Sequence, residues 1–217
     1  MKLSHSIPQT PWRAKSVWAL QIRSVVPLWM GLCFFGIGEG LLVDSGWGAS
    51  PWTVFAEGIS KHTSLSLGWC TALTSAAVLL LWIPLKQRPG FGTISNLVII
   101  ALMLQVTVNV VHPAHAVVLR IAYILGSLEF IGAGSAFYLT TAMGPGPRDG
   151  LMTSIHRNFG ISIVYVRLSI EATVLVIGWL LGGVVGVGTA VFALGIGFSI
   201  GLNLQVLSRL VRGASHD

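Results

Sequence analysis

Along this chain, apolar residues gather into long continuous runs separated by short polar links. Six runs reach the length of a membrane crossing, at about 25–45, 65–85, 92–111, 117–143, 161–182 and 186–207. A helix of roughly 20 apolar residues spans a hydrocarbon core. Barrel strands would show short alternating segments instead, so the pattern predicts helices. The link between the first and second runs, and that between the fourth and fifth, each carry a glycine turn followed by proline: Gly48-Ala-Ser-Pro51 and Gly144-Pro-Gly-Pro147. Proline is tolerated at the first helical position, and Ser50 or Gly146 stands where a cap belongs. Short helices are therefore expected at about 51–61 and 147–158.

Composition agrees with a membrane chain. Of 217 residues, 53% are hydrophobic and only 9% charged, and mean hydropathy is +0.80. Soluble domains carry roughly a quarter charged residues. The net charge of +6 does not read as nucleic-acid binding, because the basic residues lie between apolar runs with no basic stripe. With the N-terminus inside, ten Lys and Arg fall on the inner side (Lys2, Arg13, Lys15, Arg23, Lys86, Arg88, Arg148, Arg157, Arg209, Arg212) and two, Lys61 and Arg120, on the outer. That bias predicts both termini in the cytoplasm. Trp12, Trp18, Trp47, Trp52 and Trp82 are expected near the interfaces. Cys33 and Cys70 lie within apolar runs without metal-type spacing, so no metal site and no cofactor is expected.

Sliding the chain by 96 positions superposes its halves without a gap. Phe34 meets Phe130, Gly36-x-Gly38 meets Gly132-x-Gly134, Gly48 and Pro51 meet Gly144 and Pro147, and Gly90-x-Gly-Thr93 meets Gly186-x-Gly-Thr189. Each copy holds three crossings. An odd number turns the second copy over, predicting two inverted three-helix repeats about an axis in the membrane plane. The expected fold is all-α, a polytopic bundle of six transmembrane helices. It divides into a cytoplasmic tail (1–24), a first repeat (25–112), a second repeat (117–207) and a C-terminal tail (208–217).

Two arrangements of the short helices remain open. They dip into the membrane from opposite faces, aiming their positive N-terminal ends at a shared site, or they lie flat as connectors. Ionisable residues at depth are the candidate chemistry. Arg167 and Glu171, one turn apart, are expected to pair; their repeat mates are Thr71 and Ser75, and those of Arg148-Asp149 are Trp52-Thr53. Glu129 and Glu39 fall within the fourth and first runs. Left unpaired, either would be a proton carrier; reached by Arg167 or Arg148, it would be a structural lock. Gly178-xxx-Gly182 and Gly197-xxx-Gly201 match a helix-packing pattern. No serine–histidine–acid set, phosphate loop or HExxH occurs, so no catalytic residue is assigned.

Taken together, Gly144-Pro-Gly-Pro-Arg-Asp-Gly-Leu-Met152, Val166-Arg-x-x-x-Glu171, Gly178-Trp-Leu-Leu-Gly-Gly183, Leu81-Trp-x-Pro84 and Arg88-Pro-Gly-x-Gly-Thr93 resemble the YczE/YyaS/YitT-like bacterial integral membrane proteins. The resemblance covers about residues 30–205. It implies a multi-span fold in the bacterial inner membrane and transfers no catalytic residue. Gln105 stands where the resemblance would place an acidic residue.

These readings converge on a small-solute transporter or channel-like permease in the lipid bilayer, with its site between the repeats. The solute itself is unknown. The expected site residues are Arg148 as the anion-facing group, Asp149 as its cap or orienter, and Arg167 with Glu171 as the gating or coupling pair. Glu129, Pro51, Trp52 and Pro147 complete the set. The alternative is a non-transporting membrane partner that supports an assembly, using an exposed small-residue face such as Gly197-xxx-Gly201. The chain is small for a transporter, which leaves room for a homodimer.

Overall fold

The computed structural model describes residues 8–213, and among them every regular element is a helix. They are α1 (Ile22–Asp44), α2 (Pro51–His62), α3 (Leu67–Trp82), α4 (Phe91–Val110), α5 (Val117–Thr140), α6 (Pro147–Phe159), α7 (Ile163–Leu180) and α8 (Val187–Gly213). Five of these are long and apolar enough to cross a membrane: α1, α4, α5, α7 and α8. The expected second crossing is shorter than its apolar run. At 16 residues, α3 rises only about 24 Å, less than the hydrocarbon core. It counts as a sixth span only together with α2, across a bend of 117°. Residues after Trp82 turn rather than continue, with Pro84 in the turn and Lys86 at positive φ. The last helix runs past 207, through most of the segment expected as a tail.

The helix starts at Pro51, Leu67 and Phe91 recur 96 positions later at Pro147, Ile163 and Val187. Packing recurs in the same register. The helix α1 packs on α4, and α5 on α8; α2 packs on α7, and α6 on α3. The central contact is α1 against α5. Gly31 lies on the backbone of Gly134 and Tyr138, while Gly38 lies on Ser127 and Ile131, so the two helices run antiparallel. The mates Phe34 and Phe130 meet edge to face at 5.5 Å, near the middle of both helices. Contact between a residue and its own mate is the arrangement that a local two-fold axis would give.

Glycine makes this approach close enough. In Gly36-x-Gly38-x-Gly40 the outer pair faces α4 and the middle one α5. A Cβ at Gly36 would stand 2.8 Å from the Ile100 carbonyl oxygen, and one at Gly38 2.9 Å from that of Ser127. Of the other small-residue pairs, Gly178 sits against the α2 backbone at Val54 and Phe55, whereas Gly197 has nothing within 4 Å.

The modules are also latched to each other. Gly92 N–H donates to the Met143 carbonyl at 2.8 Å, and its mate Gly188 N–H to the Trp47 carbonyl at 2.7 Å. The glycines that open the two proline turns, Gly48 and Gly144, take φ of +110° and +114°, and the Thr189 and Thr93 hydroxyls lie against them. At the far ends of the short helices, Lys61 Nζ donates to the Gly182 carbonyl, and its mate Arg157 donates to Gln87 Oε1. The N-terminal segment is held too: Ala14 N–H reaches the Thr141 carbonyl, and Trp12 Nε1 the Thr140 hydroxyl.

Valine at Gly38 should overpack the α1–α5 crossing and cost about 1–3 kcal/mol. Thermal unfolding of the detergent-solubilised protein should show a lower midpoint for Gly38→Val, whereas Gly197→Ala, in open space, should melt like the parent.

Candidate functional site: a charged cavity between the modules

The first turn of α2 is buried, and in that of α6 Pro147 and Gly150 are buried while Asp149 is exposed. The N-terminal residues of both short helices, among them Ser50 and Trp52 of the one and Gly146 and Arg148 of the other, line one cavity of about 310 Å³ that α1, α3, α4, α5, α7 and α8 also line. Its walls contain repeat mates in facing pairs: Phe35 with Ile131, Glu39 with Ser135, Trp52 with Arg148, Thr71 with Arg167, and Ser75 with Glu171.

Arg148 stacks its guanidinium over the Trp52 ring at 5.2 Å. That is a cation–π contact between two mates, strongest where water is excluded. Glu39, Asp149 and Glu171 act on Arg148 electrostatically, yet among the described residues no carboxylate forms a salt bridge with it. Arg167 and Glu171 pair as expected, Nε to Oε1 at 2.9 Å, both on the cavity wall. Asp149 accepts a hydrogen bond from the Tyr138 hydroxyl at 2.8 Å. It makes no side-chain cap on α6, so the capping half of its expected role is corrected.

Glu39 is the buried carboxylate that the sequence pattern undervalued. It is 1% exposed and lies 2.7 Å from both the Ser50 and the Thr53 hydroxyls. Those hydroxyls belong to the N-cap and first turn of α2. Ser50 therefore occupies the capping position, but its oxygen accepts no helix N–H while its hydroxyl donates to Glu39. The carboxylate sits at the positive end of α2, where a negative charge is favoured. Among the described residues no arginine forms a salt bridge with Glu39, and its partners are these hydroxyls. A signal existed in the sequence: Glu39 interrupts a glycine-rich apolar run whose mate position is Ser135.

Two expected site residues lie off the cavity. Glu129 is exposed on α5 and no arginine pairs with it among the described residues. The reason is angular: Glu129 precedes the cavity-lining Ile131 by two positions, which rotates it by about 200° around the helix. Pro147 stands just outside, its carbonyl accepting the Trp82 indole N–H at 3.0 Å. Trp82 is 1% exposed and lies against Gly150, a buried strut between α3 and α6, and Trp52 is likewise buried. Gln105 accepts a hydrogen bond from Gly68 N–H at 2.8 Å, closing the start of α3, and takes no part in the cavity.

Residues 22–204 match the family of unknown function DUF6198. The chain is 45% identical over 204 residues to an uncharacterized protein of Haemophilus influenzae, covering 94% of each chain. It is 30% identical to the uncharacterized membrane protein YczE of Bacillus subtilis, covering 83% of this chain and 87% of that one. The uncharacterized protein YyaS of Bacillus subtilis is 28% identical, over 74% of this chain and 82% of its own. No solved structure matches.

Replacing Ser50 by Ala and Thr53 by Val should leave the Glu39 carboxylate without its hydroxyl donors, at about 1–3 kcal/mol for each lost partner. Adding Glu39→Gln should then recover part of that stability, because the amide carries no charge to compensate. A melting series in one detergent checks both; an unchanged midpoint for the double variant would remove Glu39 from the account of how α2 is held.

Proposed function

This chain belongs to family DUF6198, among YczE-like membrane proteins, and we propose that it is a small-solute permease whose binding site is the cavity between its two modules. The observation that carries this reading is the meeting of both short helices' N-terminal residues at one charged cavity. In this reading α2 and α6 are re-entrant, and the modules are inverted about an axis in the membrane plane. Inverted repeats with discontinuous helices at mid-depth are a recurrent transporter plan. The excess of Lys and Arg in alternate links supports a bacterial cytoplasmic membrane with both termini inside.

The charges suggest what the solute offers. Two guanidiniums, Arg148 and Arg167, face three carboxylates, Glu39, Asp149 and Glu171. Arg167 is taken by Glu171, and Glu39 and Asp149 are held by hydroxyls. Arg148 is left with an aromatic platform and no salt bridge. It is the group that receives a carboxylate or phosphate, in a fork geometry suited to either. The excess carboxylate favours a solute whose anionic group is accompanied by a cationic group or a proton. The Arg167–Glu171 pair is the part whose opening would couple or gate passage.

The competing reading, a non-transporting partner within an assembly, draws on the open face of α8 around Gly197. Flux separates the two. Full-length protein in proteoliposomes should pass solutes bearing a carboxylate or phosphate, tested against panels of small anions, amines and zwitterions. Arg148→Gln should cut that flux about ten- to hundredfold, the scale of losing a hydrogen bond to a charged group. Arg167→Ala should abolish it, and full transport by that variant would take the pair out of the mechanism. No flux with any panel, together with a stable heteromeric complex, would favour the assembly role.

A further inference from the structure

A second, larger cavity of about 740 Å³ adjoins the charged one. It is a groove between α3 and α7, floored by the short helices: Phe55 of α2 and Leu151 of α6 are among its lining. The helices α3 and α7 are repeat mates, and among the described residues they are not a packed pair. The groove runs along α3 from Cys70 to Leu81, a rise of about 16 Å at 1.5 Å per residue. Val78 and its mate Val174 face into it, while Leu73 and Leu81, each about half exposed, stand at the rim on the outside of the bundle. In a bilayer that rim meets acyl chains.

Two observations tie this groove to the charged cavity. Trp52 lines both, apolar body on one side and the Arg148 guanidinium over its ring on the other. Trp52 Nε1 and Thr74 Oγ1, both on groove-lining side chains that are 7% exposed, are buried without a hydrogen-bond partner. Buried polar groups are nearly always partnered, so donors left over in an apolar wall point to a ligand that brings an oxygen. The groove thus carries two spare polar atoms, and through Trp52 it adjoins an arginine without a salt bridge.

We infer that the solute is a phosphate-bearing amphiphile taken from the bilayer, its acyl chain in the α3–α7 groove and its phosphate at Arg148. This rests on the permease reading for the role of Arg148 and adds the chemical class of what is carried. Charge complementarity selects the occupant: a lipid without phosphate would fill the groove equally and leave Arg148 unanswered, and the excess carboxylate of the cavity suits a headgroup that carries a cation beside its phosphate. The groove is also of the size that specific ligand sites occupy.

The test uses full-length protein in nanodiscs and a phosphatidylglycerol carrying a diazirine on one acyl chain. After irradiation, mass spectrometry should place the label on peptides containing residues 70–81 and 169–174. Unlabelled phosphatidylethanolamine should compete about tenfold better than diacylglycerol, which has no phosphate, a difference of one decade in affinity. Arg148→Gln should erase that preference while chain labelling persists. Ala77→Phe should block labelling of the groove; because Ala77 lies at the exposed rim, the bundle should stay intact. Thr173→Phe, at the mate position on the other wall, supplies a second block. Labelling spread evenly over the exposed faces of α1, α5 and α8, undiminished by either phenylalanine, would overturn the inference, as would a headgroup preference that survives Arg148→Gln. Occupancy is read here without transport. Failed labelling beside sound flux of a water-soluble anion removes the amphiphile alone, and sound labelling without flux removes the permease alone.

Discussion

A helix that begins inside an apolar bundle exposes its first N–H groups where no water can reach them. The helix α2 begins with Pro51, Trp52 and Thr53 buried, α6 begins at the same cavity, and much of the architecture answers that demand. Proline at the first position of each removes one donor outright. The turn before each helix opens on a glycine at positive φ and is held by a threonine of the opposite module, Thr189 for Gly48 and Thr93 for Gly144. Glu39 then supplies negative charge at the tip of α2 through Ser50 and Thr53. Since the turns borrow partners from the opposite module, neither three-span unit could satisfy its own interior alone. The duplicated halves are obliged to close on each other.

Where mates face one another, identical side chains would either repel or duplicate. The cavity avoids both by divergence. Arg148 stands opposite Trp52, so one copy supplies the charge and the other its platform. Arg167 and Glu171 stand opposite Thr71 and Ser75, which lets a charged pair occupy one wall while the other stays small and neutral. The exchange is not confined to polar groups. Trp82 packs over Gly150 on one side, and on the other side the mate positions carry Gly178 against Val54. Large-over-small is reversed between the copies, and the bundle remains filled.

Much of this was legible before any coordinates. The 96-residue offset, the proline turns and the starts at Pro51 and Pro147 came directly from residue types with narrow backbone roles. The Arg167–Glu171 pair followed from helical spacing, and the convergence of Arg148, Trp52 and Pro51 from repeat correspondence. What spacing could not supply was rotation. Glu129 and Glu39 look alike in sequence, each a carboxylate in an apolar run, but one faces outward and the other sits at a helix tip. Nor could the sequence set the reach of α3, whose apolar run continues through Ile83 while the helix stops at Trp82. Nor does a tryptophan's place along the chain tell whether its ring packs inward, as those of Trp52 and Trp82 do. An amphipathic ring suits an interface, and it suits equally a buried site where its N–H finds a carbonyl, as Trp82 does at Pro147.

The two kinds of contact between the modules differ in how they would yield. At the α1–α5 crossing, glycines lie directly on backbone, and Phe34 meets Phe130 edge to face. Close-packed contacts of that sort resist sliding, because any shift drives atoms together or opens a void. The peripheral latches are single hydrogen bonds, from Gly92 and Gly188 to loop carbonyls and from Lys61 and Arg157 to turns. Each contributes about 1 kcal/mol net, against a crossing where many atoms are in contact at once. The centre of the bundle is therefore stiffer than its ends, and that order of stiffness follows from where the glycines are.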